Sequence, residues 1–118
     1  MNVARALALA AGSALLAGLP ALAQVSDSNV RAVNVARQWA INQNGGLSVY
    51  VPAKCMFDTG NGGGSCLVQN NNQGYVFRFL GGSPGWQQYG RPATTLTEIQ
   101  VSPDGRRVVN VGYNGTPR

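Results

Sequence analysis

The sequence predicts an α+β fold, with one N-terminal helix packed on a curled antiparallel sheet of four to five strands in a cystatin-like element order. Three observations carry this. Apolar residues recur at three- and four-residue spacing over residues 26–46. Beyond Gly46 the apolar period shifts to two, the alternation of a half-buried strand. Turn-forming clusters at 70–74 and 102–105 then separate the later apolar runs by hairpin-length connections.

In the helical segment, Ser26, Asp27 and Ser28 offer an N-cap, and Asp27 suits the positive end of the helix dipole. Val30, Val33, Ala36, Arg37, Ala40 and Ile41 form the stripe, Trp39 flanks it as a core residue, and Gly45-Gly46 stops the helix. The first strand reads over 47–51, with Leu47, Val49 and Val51 on one face and Pro52 ending the run. A short strand at 66–69 precedes a strong one at 75–80, in which Tyr75, Phe77 and Phe79 share a face. Residues 81–92 form a long loop holding Trp86 and Tyr89. The clearest hairpin joins 95–101 to 107–113 through Ser102-Pro103-Asp104-Gly105, with proline at the second turn position and glycine at the fourth. Thr97, Ile99 and Val101 face one way, and Val109, Val111 and Tyr113 are expected to face with them.

Residues 1–23 have the three parts of an export signal: a start with Arg5, an apolar run over 6–19, then Pro20 and the small-x-small site Ala21-Leu22-Ala23. The apolar run is shorter than the ~20 residues a bilayer span needs. Cleavage before Gln24 leaves 24–118 as one small α+β domain that is periplasmic or secreted, with no stable membrane insertion. All the aromatic residues lie in that part.

Composition narrows the chemistry. The 118 residues contain no histidine, which removes His-ligated metals, Ser-His-Asp triads and Cys-His dyads. The carboxylates are Asp27, Asp58, Glu98 and Asp104, against nine Lys and Arg, so the domain is small and basic. No cofactor and no metal are expected. Cys55 and Cys66 enclose a glycine-rich segment in an exported chain, which predicts a disulfide bond.

Asp58-Thr59-Gly60 after Met56-Phe57 resembles the active-site triplet of aspartic proteases, whose two carboxylates share a proton. That resemblance implies a dimeric enzyme using Asp58, but Asn61 stands where the family carries Ala or Ser. A turn in which Asp58 caps itself fits the surrounding glycines better, and a calcium loop lacks its distal Glu. The strand around Gly74-Tyr75-Val76-Phe77-Arg78-Phe79 partly resembles the aromatic strand of single-stranded RNA readers. Its rings are better used in the core, and no nucleic-acid partner is expected.

The loop over 83–91 is the candidate recognition element, with Trp86, Tyr89 and Arg91 as ligand-binding residues. It either presents its rings to a partner or folds them back as a lid on the core. Gly45-Gly46-Leu47, Gly64-Ser65-Cys66-Leu67-Val68, the run from Phe77 to Gly82 with Pro84-Gly85-Trp86, and Ser102-Pro103-Asp104-Gly105 with Tyr113-Asn114-Gly115 together resemble small exported cyanobacterial proteins of unknown function. The resemblance implies no activity. The expected role is that of an exported, non-catalytic binding or accessory protein of the cell envelope, with an envelope protein or polysaccharide as partner. The other roles considered are the Asp58 enzyme and a purely structural envelope protein.

Overall fold

The computed structural model describes residues 25–118. The expected export signal, residues 1–23, lies outside them. Helix α1 spans Asp27–Gln43, and strands β1 (Val51–Pro52), β2 (Leu67–Asn71), β3 (Gly74–Gly82), β4 (Thr95–Val101) and β5 (Val108–Gly115) follow. The chain is therefore an α+β fold, with one helix against an open antiparallel sheet. Among the described residues, no helix is long and apolar enough to cross a membrane.

Helix α1 begins where the sequence places its cap: Ser26 Oγ accepts from the Asn29 backbone N–H at 3.1 Å. Ala32, Val33, Ala36, Ala40 and Ile41 form its buried stripe, while Val30, Arg37 and Trp39 are half-buried at its borders. Asn29 is buried too, and its amide donates to the Gly62 carbonyl at 3.2 Å, so a polar residue enters the core with a partner.

The helix ends at Gln43, and Gly45 and Gly46 both take positive φ, 107° and 92°. The expected strand over 47–51 does not form. The N–H groups of Val49 and Tyr50 both turn back to the Gly46 carbonyl, at 3.1 and 2.9 Å. The donors a strand would use are thereby spent locally, and Leu47 and Val49 stand exposed rather than in the core. Only Val51 and Pro52 pair, with Gly82 and Gly81, and the proline lies within the strand instead of after it. An edge position tolerates its missing donor.

Strand β3 is the sheet's axis. On one long edge it pairs with β4 throughout. On the other it is shared: β2 covers Gly74–Phe77, β1 covers Gly81–Gly82, and the stretch between them has no partner strand among the described residues. Tyr75, Phe77 and Phe79 face α1 together with Thr97, Ile99 and Val101 of β4, and all six are buried. Arg78 and Leu80, opposite Glu98 and Leu96, look to the face away from the helix. The Tyr75 hydroxyl, at 2.6 Å from Ser28 Oγ, ties β3 to the start of α1.

The β4–β5 turn closes as expected, with the Gly105 N–H on the Ser102 carbonyl at 2.8 Å. The Asp104 carboxyl lies below its usual range, held there first by the Ser102 hydroxyl and next by the Arg106 backbone N–H. Gly105 has φ 74° and its Cα faces the Ser28 carbonyl so closely that a Cβ would overlap it. The glycine thus seats the turn against the first turn of the helix.

Strand β5 departs from simple alternation. Its register slips at two points, so Val111 faces Ile99 while Tyr113 faces Glu98 on the opposite side of the sheet. Val109, Val111 and Tyr113 therefore do not share a face, and the two valines remain 46% and 39% exposed.

Tyr50 lies over Gly81, and its hydroxyl is buried without a hydrogen-bond partner among the described residues. The nearby Thr97 hydroxyl is given to Asn114 Oδ1 instead, at 2.7 Å. Burial raises the Tyr50 pKa to about 12, because desolvation penalises the phenolate. The folded value exceeds the unfolded one, so the neutral phenol favours folding in full below pH ~10 and less and less as pH rises from there. Tyr50→Phe should match or exceed wild-type stability at neutral pH, by up to ~1 kcal/mol, because it removes an unsatisfied buried hydroxyl. It should also lose the late phase of the phenolate absorbance titration. A drop of more than ~1 kcal/mol in denaturant melts would mean that the hydroxyl has a partner.

Candidate functional site

The site begins with the disulfide. Cys55 and Cys66 are bonded, with Cα atoms 5.7 Å apart. Cys55 follows β1 and Cys66 precedes β2, so the bond links the two short strands that share one edge of β3. Between them the chain makes three single 3₁₀ turns, Lys54–Phe57, Thr59–Asn61 and Gly64–Cys66. Met56 is the buried plug of this segment, and its carbonyl accepts from Arg37 Nη1 at 2.8 Å. The same guanidinium lies 5.1 Å from the centre of the Phe57 ring, which is half-exposed. Partial burial pulls the Arg37 pKa below its ordinary value.

Asp58 sits at the junction of two of these turns. Its carbonyl accepts from the N–H groups of Asn61 and Gly63, at 3.2 and 3.0 Å, and its Oδ2 from the Asn61 amide at 2.9 Å. The turn is therefore closed by the Asp58 backbone carbonyl, and the expected capping of a backbone N–H by its carboxylate is not formed among the described residues. The other carboxylates lie on separate elements. Asp27 is in the first turn of α1, Asp104 is in the β4–β5 turn, and Glu98 is on β4, in ion pairs with Arg78 and Arg118.

The loop over 83–91 is built from its own backbone bonds: Trp86 N to Ser83 O at 2.9 Å, Tyr89 N to Gly85 O at 3.1 Å and Arg91 N to Trp86 O at 2.8 Å. Within it the three candidate residues part company. Trp86 turns inward and is only 8% exposed. Its indole rests on Gly82, where a Cβ would come within 3.0 Å of the ring, and its Nε1–H donates to the Val51 carbonyl at 2.8 Å. Tyr89 stays outside, 75% exposed, with the Arg91 guanidinium 5.4 Å from its ring centre. The loop is thus a lid through Trp86 and a display through Tyr89 and Arg91.

Folding the lid creates two clefts, one on each side of the Trp86–Gln87 ridge. The first, about 560 Å³, lies between the loop and the disulfide-braced segment. Lys54, Phe57, Asp58, Gln87 and Gln88 reach it, with Trp86 and Cys55 in its wall. Gln87 Oε1 accepts from the Lys54 N–H at 2.8 Å, which clamps the loop to the braced segment. A volume in this range suits a small ligand or one or two units of a polymer. Its lining combines an aromatic face, amides and one charge of each sign. The second, about 660 Å³, opens on the sheet face away from the helix. Sequence reading missed Phe57 and Lys54 as site residues. The pairing of Cys55 with Cys66 places them on the braced segment, but their meeting with the loop depends on how that loop closes.

Comparison with family models, with curated proteins and with solved structures finds no match to this chain.

Proposed function

We propose that this chain is an exported binding or accessory protein of the cell envelope. Its recognition surface is the cleft between the disulfide-braced segment and the loop over 83–91; Trp86 lines it, whereas Tyr89 and Arg91 are exposed on the same loop and do not. One observation carries the reading: Phe57, Gln87, Gln88, Lys54 and Asp58 converge on one concave surface around the edge of Trp86. Aromatic faces with neutral amides suit the apolar faces and hydroxyls of a polysaccharide, and the charges of opposite sign do not select an ionic ligand. The disulfide and the signal-like residues 1–23 support an oxidising compartment outside the inner membrane.

Titrating the protein with soluble glucose and N-acetylglucosamine oligomers, read by tryptophan fluorescence, tests this. Saturable binding is expected. Phe57→Ala and Gln88→Ala should each weaken it by roughly tenfold, the scale of one good contact. Both positions are exposed, so the melting temperature should stay within a few degrees. An N-terminus at Gln24 on protein recovered from the envelope checks the compartment. Absence of binding up to millimolar oligomer, or binding unaffected by both variants, would overturn the assignment.

A further inference from the structure

The second cleft has a different chemistry from the first. It lies where β3 has no partner strand among the described residues, between the ends of β1 and β2. Val68, 54% exposed, and Leu80, 39% exposed, supply an apolar floor with Leu96 and the edge of Trp86. The charged side chains that line it are Arg78 and Arg118. Glu98 is not part of the lining, and a single oxygen of it, Oε1, serves both guanidiniums, at 3.0 and 3.4 Å. Arg118 is further held by the Tyr113 ring, 3.8 Å from its guanidinium carbon.

Two guanidinium forks thus share one carboxylate oxygen beside an open aliphatic trough. A guanidinium carries five donors in a planar fork, so most of the donors here are free to meet a second anion. An aliphatic floor with a cationic rim is complementary to an amphiphile with an anionic head. Guanidinium geometry favours a planar carboxylate, which it can hold through two parallel bonds. From this charge complementarity we infer that the open sheet face is a binding site for an aliphatic carboxylate of the fatty-acid class. The carboxylate lies on the trough side of Arg78 and Arg118, on the donors that Glu98 leaves free, and the chain runs over Leu80, Val68 and Leu96 towards Trp86.

The unfilled part of β3's edge explains why the trough exists. A continuous strand pairing there would place its own side chains over Leu80. Instead, two short strands stop short of each other, and the disulfide that links their adjoining segments lines the trough through Cys55 and Cys66. The inference does not depend on the hydroxyl-rich ligand proposed for the neighbouring cleft. The two clefts share Trp86, Gln87 and Cys55 in their walls, but they call for different probes.

The test is calorimetric titration of the mature protein with hexanoate, octanoate and decanoate, all below their micellar concentrations. Affinity should rise roughly two- to fourfold for each added methylene, as burial of aliphatic surface requires. Decanoate should shift the methyl resonances of Val68, Leu80 and Leu96 in the unmodified protein. Arg78→Gln combined with Arg118→Gln should weaken decanoate at least tenfold and leave decanol binding unchanged. Should that double variant unfold, decyltrimethylammonium on the wild-type protein supplies the charge test, since it should bind at least tenfold more weakly than decanoate. No saturable decanoate binding, equal binding of the cationic amphiphile, or methyl shifts confined to the first cleft would each overturn the site.

Discussion

Trp86→Ala should cost about 3–5 kcal/mol of folding stability, the range for truncating a buried large aromatic side chain. The indole sits between the loop and the end of β3, resting on Gly82 and donating to the Val51 carbonyl. Alanine would leave a cavity at that seat and strand the carbonyl of a two-residue strand whose ladder is already short. Because β1 pairs with β3 only through Val51 and Pro52, loss of the indole should also loosen the Cys55 end of the braced segment. Denaturant unfolding with an unchanged slope reads the stability loss directly. A display role for this residue would predict a change under ~1 kcal/mol, the scale of an exposed substitution. The contrast with Tyr89 is the control: Tyr89→Ala, at a position 75% exposed, should leave stability within about 0.5 kcal/mol.

Removal of the Cys55–Cys66 bond should be the other large effect, about 3 kcal/mol by the chain-entropy account for a loop of this size. The two cysteines are 11 positions apart, and the segment they enclose contributes Met56 to the core and Phe57 and Asp58 to the first cleft. Glycines at 60, 62, 63 and 64 give this segment many unfolded conformations, so the cross-link has much chain entropy to remove. The paired substitutions Cys55→Ala and Cys66→Ala avoid new thiol chemistry and isolate the constraint. Their melts should fall by several degrees or more, and the enclosed amides should lose protection from hydrogen exchange before those of α1 and β3–β4. Thiol titration of unreduced, denatured protein should find no free thiol. Two thiols in fresh protein, or a double variant as stable as the wild type, would contradict this account.

Much of the framework was legible in the sequence because it rests on local signals. Ser26, the apolar stripe of α1 and the two glycines after it mark a helix through spacing and capping alone. The alternation in β3 and β4 makes Tyr75, Phe77, Phe79, Thr97, Ile99 and Val101 one buried face, and Ser102-Pro103-Asp104-Gly105 joins β4 to β5 by turn chemistry. The disulfide followed from an isolated cysteine pair. Where the reading failed, the cause was competition for backbone donors or register. Residues 47–51 alternate as a strand should, but the Gly46 carbonyl captures two of their N–H groups. Likewise β5 alternates on paper, but its bulges send Tyr113 and Val111 to opposite faces.

The site itself was only half written in the chain. The sequence by itself determined which residues were available: two rings and an arginine on a Gly/Pro loop, two glutamines beside them, and a cross-linked glycine-rich segment elsewhere. Tertiary structure alone decided which ring is core and which is surface. Trp86 finds both an apolar seat at Gly82 and a carbonyl for its N–H at Val51, so burying it leaves no donor unsatisfied. Tyr89 instead stays in solvent under Arg91. The same holds for the two clefts. The first exists because the 83–91 loop closes on the disulfide-braced segment, and the second because β1 and β2 each cover one end of β3, a consequence of long-range register. Local pattern records which way each side chain points along its own strand. It does not record where a partner strand ends, because that is set by hydrogen bonds between segments far apart in the chain.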